Sequence, residues 1–128
     1  MQYVAEGTVL VVDDDPVIVK LLQLNFELEG YHVISASNGA AALERAREDH
    51  PDVVVLDVMM PGLDGLEVAR QLRAAPETER LPILFLSAKA QNSDIAAGEA
   101  IADGYVTKPF DSIDLLDRVA ALVAPAGA

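Results

Sequence analysis

Four polar positions that could support phosphate chemistry each follow directly on a short apolar run. They are the acidic pair Asp13 and Asp14, then Asp57, Ser87 and Lys108. Three carboxylates brought within ~4 Å of one another would repel by about 4 kcal/mol per pair at an effective dielectric near 20, so such a cluster needs a cation. Oxygen donors without His or Cys select Mg²⁺, with Mn²⁺ as the alternative. The residue types therefore indicate a divalent-metal site.

The carboxylate of Asp57 could itself be a nucleophile and become an aspartyl phosphate. In phosphoryl transfer the protein mainly positions groups and stabilises charge on the equatorial oxygens. Asp14, Asp57 and a backbone carbonyl would hold the metal and, through it, one oxygen. Lys108 would neutralise a second oxygen, and the Ser87 hydroxyl would donate to a third. Each residue alone has an ordinary structural explanation, so the signal lies in their joint placement at strand ends.

The elements that must position these groups are five β-type runs alternating with five helical stretches. We predict strands at 8–12, 31–35, 53–56, 81–86 and 105–107, and helices at 17–29, 39–49, 65–74, 92–100 and 112–123. Such alternation is typical of an α/β domain with a parallel sheet and right-handed crossovers. Because the carboxyl ends of parallel strands share one edge of the sheet, the polar groups should meet there.

Local signals set the helix boundaries and the helix faces. Capping residues are expected at Asp15, Asn38, Asp64 and Asp111, and Gly30 should end the first helix. The first helix is expected to bury Leu21, Leu22 and Phe26. The last helix is expected to turn five apolar residues inward, namely Ile113, Leu116, Val119, Ala120 and Val123. The small-residue fourth helix should be locally mobile because it buries little.

Composition narrows the class of protein. The chain has 128 residues, which suits a single domain, and 9 basic against 21 acidic residues give it a net charge of −12. That balance argues against direct binding to nucleic acid or to an anionic membrane. There are no cysteines, which excludes disulfides and thiolate metal sites. With no leader-like N-terminus and no apolar run of ~18 residues, we expect a cytoplasmic protein.

Four motifs, taken together, resemble the receiver domain of two-component response regulators. They are VLVVDDDP, VVLDVMMPGLDG, FLSAKA and GYVTKPF. Their order and spacing fit over residues 8–123, which we assign to the domain, with residues 1–7 as an N-terminal extension and 124–128 as a short tail. The resemblance implies a flavodoxin-like, doubly wound (βα)5 three-layer sandwich with parallel sheet order 2-1-3-4-5.

The same resemblance implies a function and a set of site residues. Asp57 would accept a phosphoryl group from a sensor histidine kinase or a phosphotransfer protein, with Mg²⁺ held by Asp13, Asp14, Asp57 and the backbone carbonyl of Met59. Lys108–Pro109 would be a cis peptide bond, which is tolerated before proline. The protein would not be a conventional enzyme, although it would catalyse its own phosphoryl uptake and slow autodephosphorylation.

The resemblance also implies how the signal leaves the domain. Ser87 would move toward the phosphoryl group and the Tyr105 ring would turn inward. The face formed by the fourth helix, the fifth strand and the fifth helix would then signal to a downstream protein, or support a phosphorylation-dependent homodimer. Met59 and Lys89 would tune the loss of phosphate, and the apolar Met59 predicts a slow loss because it offers no hydrogen bond to water.

One departure and two alternatives qualify this interpretation. Ile101 stands where the family commonly has Gly, so either the fourth helix ends differently or Gly104 takes over the turn. A haloacid-dehalogenase-type phosphatase would use the Asp13-x-Asp15 pair, but it leaves Asp57 without a role. A pseudo-receiver that binds partners without phosphorylation would not need the complete set of site residues.

Overall fold

The computed structural model describes residues 7–123, which form five strands and five helices in strict alternation. The elements in chain order are β1 (Thr8–Val12), α1 (Pro16–Leu28), β2 (His32–Ala36), α2 (Gly39–Asp49), β3 (Val53–Leu56), α3 (Gly65–Ala74), β4 (Ile83–Ser87), α4 (Asn92–Glu99), β5 (Gly104–Thr107) and α5 (Ser112–Val123). Apart from Gly7, the predicted N-terminal extension lies outside the described residues, as does the predicted tail at 124–128.

The five strands form one parallel sheet in the order β2-β1-β3-β4-β5. The predicted fold class and strand order are therefore confirmed. Alternate residues of each central strand point to opposite faces, and both faces are covered by helices, which explains why the strands are apolar throughout. In β1, for example, Leu10 faces a core beneath α2, α3 and α4, whereas Val9 and Val11 face a core beneath α1 and α5.

The helix boundaries follow the predicted caps. Asp15 accepts a hydrogen bond from the Val17 N–H at 2.9 Å, and Asp64 accepts one from the Glu67 N–H at 2.9 Å. Gly30 follows α1 with a φ of +99°, a conformation in which a residue without Cβ is unstrained. No helix among residues 7–123 is both long enough and apolar enough to cross a membrane.

Strand β4 begins two residues later than predicted, and this changes the description of Ser87. The Leu81 N–H bonds to Thr78 in a turn, and Pro82 has no N–H to give. The ladder therefore starts at Ile83 and runs through Ser87, which is paired with Thr107 on β5. Ser87 is the last residue of its strand rather than the first residue after it.

Three residues predicted to be buried are exposed. Leu21 on α1 is 43% exposed, whereas Leu22 and Phe26 are buried as expected. On α5, Ile113 is 72% exposed because the inward face is set by Leu115 and Val119, and a residue two positions before Leu115 points about 200° away. Ala120 is exposed for a related reason, since it lies one position past Val119. The predicted burial of Leu21, Ile113 and Ala120 was wrong.

The C-terminal end of α4 resolves the question raised by Ile101. The cap residue Ala100 has right-handed helical angles, and the N–H groups of Ile101 and Ala102 both bond to the carbonyl of Gly98, at 3.1 and 2.9 Å. Among residues 7–123, His50 is the one non-glycine residue with positive φ, and Gly104 is not among the glycines that have it. The helix thus ends differently, without a left-handed residue, and Gly104 belongs to β5.

Candidate functional site

The register of β1 and β3 brings three carboxylates together at the carboxyl edge of the sheet. Val12 is paired with Leu56, and the N–H of Asp57 donates to the carbonyl of Val12 at 3.0 Å. The next residues along both strands therefore lie side by side. Carboxylate oxygens of Asp13, Asp14 and Asp57 all lie within 4.8 Å of one another. Asp13 and Asp57 are 3% and 6% exposed, whereas Asp14 is exposed.

Backbone N–H groups orient the two buried carboxylates. The Asp15 N–H donates to Oδ1 of Asp13 at 2.9 Å, and the Met59 N–H donates to Oδ1 of Asp57 at 3.0 Å. In each case the aspartate accepts from the N–H two residues later, which is the pattern of an Asx turn. The turn therefore fixes the orientation of the carboxylate at its start. The Oδ2 atoms are left to face one another.

The ammonium of Lys108 lies between those two Oδ2 atoms. Its Nζ is 2.8 Å from Oδ2 of Asp13 and 3.3 Å from Oδ2 of Asp57. The Lys108 N–H donates to the carbonyl of Ser87 at 2.8 Å, and the peptide bond to Pro109 is cis, as predicted. Lys108, which directly follows β5, therefore extends past the end of β4 to reach Asp57 after β3 and Asp13 after β1.

The pKa values of Asp57 and Lys108 are both raised in this cluster. Burial raises the pKa of Asp57 above its ordinary value and outweighs the opposing effects of the Met59 N–H and the Lys108 charge. Burial acts to lower the pKa of Lys108, but the hydrogen bond to Asp13 and the negative charges of both aspartates raise it overall. The lysine is therefore held as a cation beside a carboxylate that is costly to ionise.

Ser87 and Tyr105 are joined through the backbone of Lys89. The Ser87 Oγ accepts a hydrogen bond from the Lys89 N–H at 3.2 Å, and the Tyr105 hydroxyl donates to the Lys89 carbonyl at 2.7 Å. Ser87 is fully buried, and the Tyr105 ring is buried against Phe85 with the ring centroids 5.9 Å apart. Burial raises the pKa of the Tyr105 phenol. The structure thus links the two predicted switch residues to one loop.

The rim of the site has two cavities. One, of about 380 Å³, is lined by Met59, Met60, Leu66 and Lys89, with the Met59 side chain 51% exposed. The two predicted rate-tuning residues therefore share one cavity. The other, of about 400 Å³, is lined on one side by Asp13 and Asp14 and on the other by Lys20 and Arg45. Both cavities open beside the carboxylate cluster.

The donor set fits a hard divalent cation. Within residues 7–123, Asp13, Asp14 and Asp57 are the one group of three acidic, His or Cys residues whose ligand atoms converge. Three carboxylates and one ammonium leave a formal charge of −2, which one Mg²⁺ would balance. The exposed Asp14 keeps the cluster open to solvent, and Mg²⁺ typically retains several waters. The role of the Met59 carbonyl as a ligand stays a prediction.

Sequence reasoning missed one residue next to the switch pair. Gly98 is buried near the C-terminal end of α4 and lies against the Tyr105 ring. The signal was present, because a glycine inside an alanine-rich helix is locally unfavourable and calls for a packing reason.

Comparison with known proteins gives a consistent result. Residues 9–120 match the family model described as the response regulator receiver domain. The chain is 49% identical over 116 residues to the alkaline phosphatase synthesis transcriptional regulatory protein PhoP of Bacillus subtilis, covering 90% of this chain and 48% of that protein. The chain therefore spans about half the length of this curated relative.

Solved structures with the same fold include two informative neighbours. The chemotaxis protein CheY4 of Vibrio cholerae superposes with a TM-score of 0.85 at 31% identity, covering 92% of this chain and 99% of that one. The receiver domain of the sensor histidine kinase PA1611 from Pseudomonas aeruginosa, whose structure has a magnesium ion coordinated in the active-site cleft, superposes with a TM-score of 0.85 at 28% identity. That alignment covers 93% of this chain and 98% of the neighbour.

Proposed function

The chain belongs to the family of response regulator receiver domains, and on that premise we propose that Asp57 is its phosphoacceptor and that Mg²⁺ is required for phosphorylation. The family consists of signalling proteins that act as phosphorylation switches, not of conventional enzymes. We assign residues 8–123 to the receiver domain. The phosphodonor is the phosphohistidine of a sensor kinase or of a phosphotransfer protein.

The observation that carries this proposal is the Lys108 ammonium between Asp13 and Asp57, with the Asp14 carboxylate beside them. An arrangement built only for stability would have no need for three converging carboxylates, because their mutual repulsion is costly. A site for a divalent cation and a phosphoryl group uses all four charges.

The chemistry follows from the placement of these groups. An oxygen of the Asp57 carboxylate forms a bond to phosphorus while the bond from phosphorus to the donor nitrogen breaks and the imidazole leaves. Lys108 pairs with one phosphoryl oxygen, and the Ser87 hydroxyl donates to another. Asp13, Asp14, Asp57 and the Met59 carbonyl would hold Mg²⁺, which would supply positive charge to the phosphoryl oxygens. The magnesium ion in the PA1611 receiver domain supports this assignment.

The signal then passes through Ser87 and Tyr105. A phosphoryl group that accepts a hydrogen bond from the Ser87 hydroxyl draws that hydroxyl toward the site, and the Lys89 N–H now donates to the same oxygen. Because Tyr105 holds the carbonyl of the same Lys89, the change reaches the face formed by α4, β5 and α5. We propose that this face contacts a downstream protein or a second copy of the chain. Phosphate loss is slow, since Met59 offers no hydrogen bond to water.

The direct test is incubation with acetyl phosphate and Mg²⁺, followed by intact mass measurement. The wild type should gain one phosphoryl group, and Asp57→Asn should gain none. Asp117→Asn is the matched control, because Asp117 is an exposed aspartate on α5 and should leave uptake unchanged. Uptake by Asp57→Asn at the wild-type rate would refute the proposal. Turnover of unrelated phosphate esters would instead favour a phosphatase.

A further inference from the structure

Helix α4 approaches the Tyr105 ring so closely that no side chain fits between them. A Cβ atom built on Gly98 would lie 2.5 Å from Cδ2 and 2.8 Å from Cε2 of Tyr105, and 3.1 Å from Cδ2 of Phe85. Real Cβ atoms essentially never come within 3.0 Å of such atoms. The ring therefore occupies the volume that any other residue at position 98 would need.

This glycine is present against the preference of its surroundings. Gly98 is buried and is the next-to-last residue of an eight-residue helix, and glycine is ordinarily less favourable than alanine in a helix. Its neighbours Ala96 and Ala97 are exposed alanines, the residue that helices favour most. Local propensity therefore does not explain Gly98, whereas the contact with the ring does.

The ring is also fixed on its other sides. Its hydroxyl bonds to the Lys89 carbonyl at 2.7 Å, and its plane packs at 50° against Phe85 of β4. Tyr105 is consequently 7% exposed. The position of α4, the orientation of the ring and the loop at Lys89 are thus interdependent.

We propose that Gly98 is a positioning residue of the switch, whose missing side chain leaves the space that the inward Tyr105 ring occupies. This inference rests on the proposed function of the chain as a phosphorylation switch. A larger residue at position 98 would drive the ring outward or lift α4 from the sheet.

Nitration by tetranitromethane measures the accessibility of the ring. In the unmodified Gly98→Ala protein, Tyr105 should be nitrated about tenfold faster than in the wild type, because an open state becomes a major one. Peptide mapping separates Tyr105 from the other two tyrosines. The exposed control Ala97→Gly should keep the wild-type rate. Equal nitration rates in Gly98→Ala and wild type would overturn the proposal.

A double-mutant cycle with Tyr105→Ala keeps the test decisive even where Gly98→Ala folds poorly. Without the ring, Gly98→Ala should raise the folding equilibrium constant about fivefold, the ordinary gain of alanine over glycine in a helix. With the ring present, it should lower that constant. The same gain in both backgrounds would show that the ring does not constrain position 98.

Phosphate uptake of each variant, followed by intact mass, separates this inference from the proposed function. Wild-type uptake together with unchanged nitration in Gly98→Ala would overturn the inference alone. Absence of uptake in the wild type would overturn the proposed function, and with it the assignment of Gly98 to a switch, even where the steric contact is real.

Discussion

The Nζ of Lys108 lies 2.8 Å from Oδ2 of Asp13, so the last strand of the sheet supplies a counter-ion to a carboxylate on the first strand. The same ammonium is 3.3 Å from Asp57. Charge balance at this edge of the sheet therefore depends on three separate strands, and the remaining charge of −2 is the feature that a divalent cation and a phosphoryl group would use.

Binding of Mg²⁺ should stabilise the fold, because the three carboxylates converge only in the native state. At a concentration about 100 times its Kd, Mg²⁺ should raise the free energy of unfolding by about 2.7 kcal/mol over the EDTA-treated protein. Asp14→Asn should lose most of this gain while folding normally, since Asp14 is exposed. Urea titrations with and without Mg²⁺ measure this gain in the wild type and in Asp14→Asn. Asp117→Asn serves as the control and should keep the wild-type gain. An undiminished gain in Asp14→Asn would contradict the metal assignment.

The buried charge of Asp57 should make the metal-free domain less stable as pH rises. Because burial raises the folded-state pKa of Asp57 above the ordinary aspartate value of 3.8, the folded state binds the proton more tightly than the unfolded state. The contribution of Asp57 to stability thus falls as pH rises from about 3.8 through the raised pKa. Asp57→Asn removes this dependence.

Urea denaturation in EDTA at several pH values checks that prediction. As pH rises from about 3.8 through the raised pKa of Asp57, the free energy of unfolding of Asp57→Asn should increase relative to that of the wild type. The variant should remain the more stable protein at neutral pH. A variant that is less stable than the wild type at neutral pH would show that the attraction of Lys108 outweighs the cost of burial.

Met59 should limit the rate at which the phosphorylated protein loses its phosphate. Its side chain is 51% exposed at the rim of the site and offers no polar atom suited to holding water. Met59→Asn should accelerate the loss about tenfold, the effect of one hydrogen bond of ~1.4 kcal/mol formed in the transition state. Met59→Leu should retain the wild-type rate. The decay of the phosphorylated mass after removal of the donor gives the rates, and a wild-type half-life of a few seconds would contradict a slow loss.

Arg73 should be among the most important polar residues for stability. Its guanidinium donates to the carbonyls of Leu81 and Ile101 at 2.6 and 2.9 Å, and it pairs with Asp103 at 3.1 Å. Arg73→Ala leaves the two carbonyls without this donor and should cost about 2–3 kcal/mol. Arg70→Ala on the same helix removes only an exposed pair with Glu67 and should cost less than about 0.5 kcal/mol. Chemical denaturation measures both, and equal losses would refute the distinction.

The sequence was a good guide wherever a local signal had one physical cause. Strand ends marked by Asp13, Asp57 and Lys108 could be placed on a common edge because parallel strands leave no other arrangement. The caps at Asp15 and Asp64 could be read because a short acceptor side chain before a helix has one effective partner, the free N–H groups of the first turn.

The remaining errors arose where one pattern permits two packings or where the partner is remote. On α5, apolar residues occupy both sides of the helical wheel, so Ile113 and Leu115 could not be ranked without knowing which side meets the sheet. Most acceptors of Arg73 are carbonyls up to 28 residues away, and carbonyls leave no trace in sequence. Gly98 could be noticed as unusual, but the Tyr105 ring that explains it is reached only through the fold.

The most direct test of the central claim is to locate the phosphoryl group itself. After incubation with acetyl phosphate and Mg²⁺, reduction with borohydride converts an aspartyl phosphate to homoserine, and peptide mass mapping identifies the residue. We predict homoserine at position 57 in the wild type and none in Asp57→Asn. Reduction at Asp13 or Asp14 instead, or a wild-type protein that yields no homoserine although the donor and Mg²⁺ are present, would contradict the account.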